Sequence, residues 1–248
     1  MENKLIRHIE KLNENICRID KNLDPIILLP LLQYSQENKI YECVLENYHV
    51  KKLKNFKYEE YYLVSEKIDN YLSELSDEIL ETFPDNIDLQ SISFLLYELL
   101  INIYKHSKFN NAYVQINSME NEIILCIIDD GIGIPGSFNE GNLTYKNDCE
   151  AIYDSINGKT TDKEKFNLHG RGLNTRARIT TIGFGGEMLI ASGLGVCDIT
   201  SEGAKLFFNE NGINGTFIIL KINNKKVDNL YECIKYEKIN KMEVTENE

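Results

Sequence analysis

Glu98, Asn102 and His106 recur every fourth residue through a run otherwise rich in Ile, Leu and Phe. On a helix that spacing lines them along one stripe. An unpartnered carboxylate or amide against such an apolar core is costly, so the stripe either reaches solvent or faces a polar ligand. A second pattern lies where the apolar run 123–128 ends in Asp129-Asp130-Gly131-Ile132-Gly133. A strand of this kind delivers a carboxylate to its end, where it can accept from an exocyclic amine. The glycines then let the backbone pass close to something flat. A tight acidic turn is the other reading of the same residues. Third, Gly170-Arg171-Gly172-Leu173 opens a helical stretch. Amides at a helix start favour phosphate oxygens, and Arg171 could add a charge-assisted contact. A hinge before a helix is the alternative. Gly215-Thr216, ahead of the last apolar run, is by itself a plain turn.

One decoy is set aside. Gly131, Gly133 and Gly136 spell GxGxxG. A dinucleotide fingerprint needs a helix opening inside it, and Pro135 followed by a long polar stretch predicts a loop instead. The chain contains no GxxxxGK[ST] phosphate loop.

The elements that must position these residues follow from periodicity and punctuation. In a first region, residues 1–84, Leu5, Ile9, Leu12 and Ile16 fall near helical spacing. Pro25 opens a helix to about Glu37, and Lys39 to Leu45 reads as a strand. Val64, Ile68, Leu72, Leu75, Ile79 and Leu80 predict a helix over 64–83, stopped by Pro84. In the second region, residues 85–223, Asp88 caps a helix reaching about Lys108. Strands follow at 111–117 and 122–128, joined by a hairpin turn at Asn121. The second of them is apolar almost throughout, which predicts a central position. The polar stretch 137–169 holds one short helix at about 147–157, and a helix over 173–182 leads to Gly183, Gly185 and Gly186. Further strands are expected at 187–192, 197–200, 204–208 and 217–222. The last part, residues 224–248, reads as a polar tail that frays after about Lys238. Short turns between strands predict an α+β, two-layer arrangement, with a mixed, mostly antiparallel sheet and helices on one face.

The chain has 248 residues and a net charge of −12, from 39 acidic and 27 basic side chains. No Lys/Arg run is long enough to make a nucleic-acid face. Lys51, Lys52, Lys54 and Lys57 read as a solvated helix face. The six cysteines are evenly spread with no CxxC pair, which suits neither a zinc site nor a disulfide framework and points to a reducing cytoplasm. Met1 to Lys11 is charged throughout, unlike a signal peptide, and the most apolar stretch, Ile26 to Leu32, is too short for a membrane span.

The order of the four patterns is the strongest signal. ELLINIYKHS, IIDDGIGI, GRGLNT and NGTFIIL, over about residues 88–222, resemble the N box and the glycine boxes of the GHKL ATPases. With GGEMLIASG they look most like bacterial histidine-kinase catalytic domains and related stand-alone ATP-binding proteins. The resemblance implies a Bergerat-type two-layer sandwich that binds ATP and Mg²⁺. By position, Asn102 matches the Mg²⁺ ligand. Glu98 matches the acid that activates water in the hydrolysing branches. Lys105 and His106 match positions near the phosphates. Asp129 matches the carboxylate that recognises the adenine amine, and Gly131 and Gly133 the loop over the base. Gly170, Arg171, Gly172 and Leu173 match the phosphate-side loop, and Thr216 a residue near adenine. Residues 137–169, with Gly158, Lys159, Thr160 and Thr161, would form the ATP lid.

The pattern departs from a histidine kinase in three places. His8, the candidate phospho-acceptor, lacks a following paired helix of convincing length, and His49 reads as a surface or turn residue. There is no clear phenylalanine box, Phe138 and Phe166 being the nearest stand-ins. The stretch 195–214 is longer than the usual turn. The first region resembles a cut-down STAS-like module around Asp24 to Pro30. The expected function is that of an ATP- and Mg²⁺-dependent regulatory protein that phosphorylates or binds a partner protein, an anti-sigma-type serine kinase included, and that could form a homodimer. The alternatives are a self-contained ATPase clamp with Glu98 as general base, and a non-catalytic nucleotide-binding scaffold.

Overall fold

The computed structural model describes residues 50–56, 61–81, 87–118, 121–160 and 171–242. The expected elements at 5–16, 25–37 and 39–45, together with Pro84, lie outside them.

The chain enters the sheet at β1 (Val50–Lys52), a short edge strand paired antiparallel with β2. The lysines at 51, 52 and 54 were expected on a helix; the first two are instead in this strand. Lysines on an edge are a common means of blocking further pairing. Helix α1 (Tyr61–Leu80) buries Ile68, Leu72, Leu75 and Ile79, the predicted stripe. It packs on α2 (Leu89–Asn102), helped by a Tyr97 hydroxyl that donates to Asp69 at 2.6 Å. Asp88 caps α2 as expected, accepting from the Ser91 backbone N–H at 3.1 Å. That interaction stabilises a helix by about 1 kcal/mol. Leu95, Leu96, Leu99 and Leu100 are fully buried, because α2 lies between α1 and the sheet. At Ile103–Ser107 the helix widens into a π turn, and it ends at Lys108 with φ +54°.

Strands β2 (Ala112–Ser118) and β3 (Glu122–Asp129) form the predicted hairpin. β3 is the middle strand of a five-stranded sheet. Its Ile123, Leu125 and Ile127 face the helices, and its Ile124, Cys126 and Ile128 join a second apolar cluster. That two-sided burial is why the sequence runs apolar without alternation.

After β3 the structure corrects an expectation. A helix, α3 (Gly133–Glu140), does open inside the glycine run. Pro135 sits in its first turn, where the missing N–H has no intrahelical partner to lose. The dinucleotide reading still fails, because β3 is antiparallel to both neighbours and no βαβ crossover exists around it. The next helix, α4 (Asp148–Ile156), is capped by Asn147 and buries Ala151, Ile152 and Ile156. Within the stretch expected to act as one polar lid, Phe138, Ala151, Ile152 and Ile156 are thus buried. Residues 161–170 lie outside the described set.

Helix α5 (Arg171–Arg178) begins two residues earlier than predicted and runs into a second π turn at Ile179–Gly183. The four strands expected next are two long ones, β4 (Glu187–Thr200) and β5 (Gly203–Asn223), in one hairpin. The pairing register shifts at Gly193 and Gly195. There a bulge lets the strand continue through glycines that read as a break. The sheet order is β1-β2-β3-β5-β4 with every neighbouring pair antiparallel. The fold is therefore α+β with an antiparallel sheet and the helices on one face.

The core runs across the expected boundary at residue 84, since Leu53 and the α1 stripe share one cluster with α2 and the sheet. The tail expected to fray after about Lys238 is docked as far as residue 242. Helix α6 (Leu230–Ile234) buries Cys233, the Ile239 N–H donates to Asn157 Oδ1 at 2.9 Å, and the Met242 N–H donates to the Ala204 carbonyl at 2.9 Å. Among the described residues no helix is long and apolar enough to cross a membrane. Cys126, Cys149, Cys197 and Cys233 are buried free thiols.

Candidate functional site

A cavity of about 140 Å³ opens between the helical layer and the ends of the central strands. Its inner end is built where β3 stops. Asp129 stands opposite Thr216 in the β3–β5 register, so the strand end and the Gly215-Thr216 pair meet by ladder geometry alone. Asp129 is only 4% exposed. Its Oδ1 accepts from the Ser107 hydroxyl at 2.7 Å and from the Gly131 N–H at 2.9 Å. Burial pushes its carboxyl up to about 6, against these two bonds, which favour the ionised form. The adjacent Asp130 points elsewhere. It accepts from the backbone N–H groups of Asn110 and Asn111, each at 2.7 Å, and so ties the turn before β2.

Two glycines make the inner end possible. A Cβ on Gly131 would lie 2.0 Å from the Ser107 carbonyl oxygen, which itself accepts from the Ile132 N–H at 2.8 Å. Gly133 has φ +69°, which favours glycine, and a Cβ there would lie 2.5 Å from Ser192 Oγ. Ser192 is fully buried; it accepts from the Ile134 N–H at 2.9 Å and donates to the Gly215 carbonyl at 2.6 Å. One hydroxyl thereby joins α3, β4 and the turn before Thr216.

The walls are apolar: Leu99 and Ile103 from the α2 side, Ile127 and Ile218 from the sheet, and Ile134 and Phe138 from α3. The outer end is polar. Asn102 and His106 line it from the end of α2 and the π turn, and Gly172 and Leu173 from the start of α5. A Cβ on Gly172 would sit 3.9 Å from the Asn102 amide nitrogen, which measures how near α5 comes to this side chain. Lys159 and Thr160 line the cavity from the segment after α4. Lys159 pairs with Asp154 at 2.9 Å and lies over the Phe138 ring.

Of the residues singled out in the sequence, Asn102, His106, Asp129, Gly133, Gly172, Leu173 and Thr216 meet around this cavity. Gly131 supports it from behind Asp129. Lys105 and Glu98 are not among the lining residues. Glu98 pairs with Arg176 of α5 at 3.4 Å. Gly170 lies outside the described residues, as does the side chain of Arg171. The polar lining residues not named in the sequence are Ser107, Ser137 and Ser155, while Lys159 and Thr160, expected in the lid, also line the cavity. Ser107 directly follows His106, and its role depends on the wide turn, which no local residue type announces. Among the described residues there is no cluster of three or more His, Cys, Asp or Glu side chains able to hold a metal by themselves.

No family model and no curated protein matches the chain. Among solved structures it is similar to the histidine kinase domain of a blue-light activated histidine kinase from Erythrobacter litoralis EL346. The two are 13% identical over 94% of this chain and 96% of that one, with a TM-score of 0.29. At that overlap the likeness adds nothing to the site. The α+β assignment rests on the sheet and helices themselves.

Proposed function

We propose that this chain binds ATP with Mg²⁺ in the cavity, with adenine at the Asp129 end and the phosphates toward Asn102 and the start of α5. In this reading the bound nucleotide serves a regulatory act on a partner protein, either phosphoryl transfer to it or binding that depends on nucleotide state. The observation that carries the proposal is the buried Asp129 carboxylate lining a mostly apolar cavity. A carboxylate can accept about four hydrogen bonds, so one that takes neutral donors from the protein retains capacity for an exocyclic amine. The apolar walls suit a flat base, since pockets of this kind bind through shape and a few placed polar groups.

The residues at the outer end fit the rest of the ligand. Mg²⁺ keeps most of its shell as water and phosphate and needs only one or two protein oxygens, which the Asn102 amide can supply without a metal cluster. The first amides of α5 would face phosphate oxygens. Lys159 and His106 would offset charge in a chain of net charge −12. Bound ATP supplies the transferable phosphoryl group, and the chain's own part is positioning and charge neutralisation. A partner-directed reading is favoured over a self-contained ATPase because Glu98, the acid that would activate water, is paired with Arg176 and does not line the cavity.

Calorimetric titration of MgATP into wild type and Asp129→Asn tests this. Wild type should bind in the micromolar to submillimolar range. The variant should lose about 1.5–3 kcal/mol, tenfold or more, as a charged hydrogen bond is removed. Equal binding by both, or binding by neither, overturns the assignment.

A further inference from the structure

Glu98 was singled out for its spacing from Asn102, but its surroundings suit a different task. Its partner, Arg176, lies on α5, one turn beyond the Gly172 that meets Asn102. The Arg176 side chain is 3% exposed and that of Glu98 25%. The guanidinium also stacks on the Phe94 ring at 4.0 Å from its centre. Its Nε has no hydrogen-bond partner among the described residues. A buried guanidinium with an unused donor depends heavily on its remaining contacts, and loss of Glu98, the acid paired with it among the described residues, would leave it uncompensated. Burial already pulls Arg176 down to about 10, with Glu98 opposing the shift.

The other side of α5 is fixed differently. Arg178 bonds the Glu237 carboxylate at 2.7 Å and the Glu232 carbonyl at 3.1 Å, while the Asn174 amide donates to the Glu237 carbonyl at 3.1 Å. The C-terminal segment therefore holds the outer side of the helix. Toward α2, the Glu98–Arg176 pair is the ionic contact seen among the described residues.

We propose that Glu98 is a positioning residue: through Arg176 it fixes the start of α5 against Asn102, so that the first amides of α5 stand ready for the nucleotide phosphates. This rests on the ATP reading above and changes the role of one of its residues. Glu98 acts on the phosphates through α5 rather than on a water molecule. Phe94 adds a cation–π contact that helps hold the guanidinium beside the carboxylate. The consequence is selective. The pair should matter for ligands that carry a triphosphate and not for the nucleoside, which is held at the Asp129 end.

The test is a double-mutant cycle on the full chain with two probes, MgATP and adenosine, read by calorimetry. Glu98→Gln and Arg176→Gln should each weaken MgATP at least fivefold and leave adenosine within twofold. The double variant should be no worse than the weaker single. Amide hydrogen exchange across 171–178 without ligand should rise in both singles. Arg176→Met, which keeps the volume, serves if the glutamine variant does not fold. The proposal is overturned if Glu98→Gln keeps full MgATP affinity, if it abolishes turnover while affinity stands, or if the two single effects simply add. A wild type that binds neither probe overturns the ATP reading itself, and the anchor role toward phosphate with it.

Discussion

Two carboxylates, Asp129 lining the cavity and Glu98 on α2 outside its lining, are treated in opposite ways. Asp129 accepts from neutral donors, the Ser107 hydroxyl and the Gly131 backbone amide. Glu98 is met by a full guanidinium charge. A buried acid held only by dipoles is poised: its protonation state and any new donor matter to it. An acid matched to an arginine is already satisfied, and its energy lies in the geometry that it maintains. The sheet end is thus suited to recognising something, and the helix end to holding something in place. Asp130, beside Asp129, belongs with the second kind, since all its bonds close a turn.

The hardest blow to the sheet end should come from Gly131→Ala. The new Cβ would stand 2.0 Å from the Ser107 carbonyl, a backbone atom that cannot swing aside. The π turn and the strand end would have to separate. Overpacking of this kind costs about 1–3 kcal/mol, occasionally more. Adenosine binding should vanish, and a denaturant melt should show the loss of stability. Wild-type stability would mean that the wide turn and the strand end are not rigidly joined, and the comparison of the two ends would lose its basis.

The next effect is in pH. Asp129 is raised from the usual 3.8 to about 6, so the folded protein holds this proton more tightly than the unfolded chain. Its contribution to stability is full below pH 3.8 and is lost as the pH rises through about 6. Recognition of an amine runs the other way, because the ionised carboxylate is the better acceptor. Between pH 7.5 and pH 5, adenosine affinity should fall up to about tenfold, following the ionised fraction. Adenosine has no phosphate to titrate, so the profile belongs to the protein. Asp129→Asn should flatten it. A wild-type profile that is flat across this range would assign recognition to some other group.

The sequence made part of this visible and hid part of it, for separable reasons. Order and punctuation were readable because they sit at element ends: Asp88 caps, Asp129 ends a strand, and Gly172 opens a helix. The central place of β3 was readable because a strand buried on both faces cannot alternate. The helix α3 was hidden because Gly, Pro and Ser are poor helix formers, and its support, Ser192, lies 58 residues away from Ile134. Arg176 was hidden because three arginines in eight residues read as a solvated face, yet it is buried against Phe94 and Glu98. Strands β4 and β5 each read as two pieces in the sequence because of their glycines, which do not end either strand. In each case the missing information is a contact distant in sequence, and local residue types cannot supply it.

The smallest effect sharpens the comparison most. Ser107→Ala removes one neutral donor from Asp129 and leaves its burial in place. The hydroxyl bond opposes the upward push of burial, so without it the carboxyl should titrate at a higher pH than in wild type. The adenosine profile should shift to the right, with affinity at pH 7.5 lower by only about threefold, less than the charge removal in Asp129→Asn. If Ser107 served only to pack the turn, affinity would fall equally at every pH and the midpoint would not move. A moved midpoint would show that this hydroxyl sets how readily the buried Asp129 ionises.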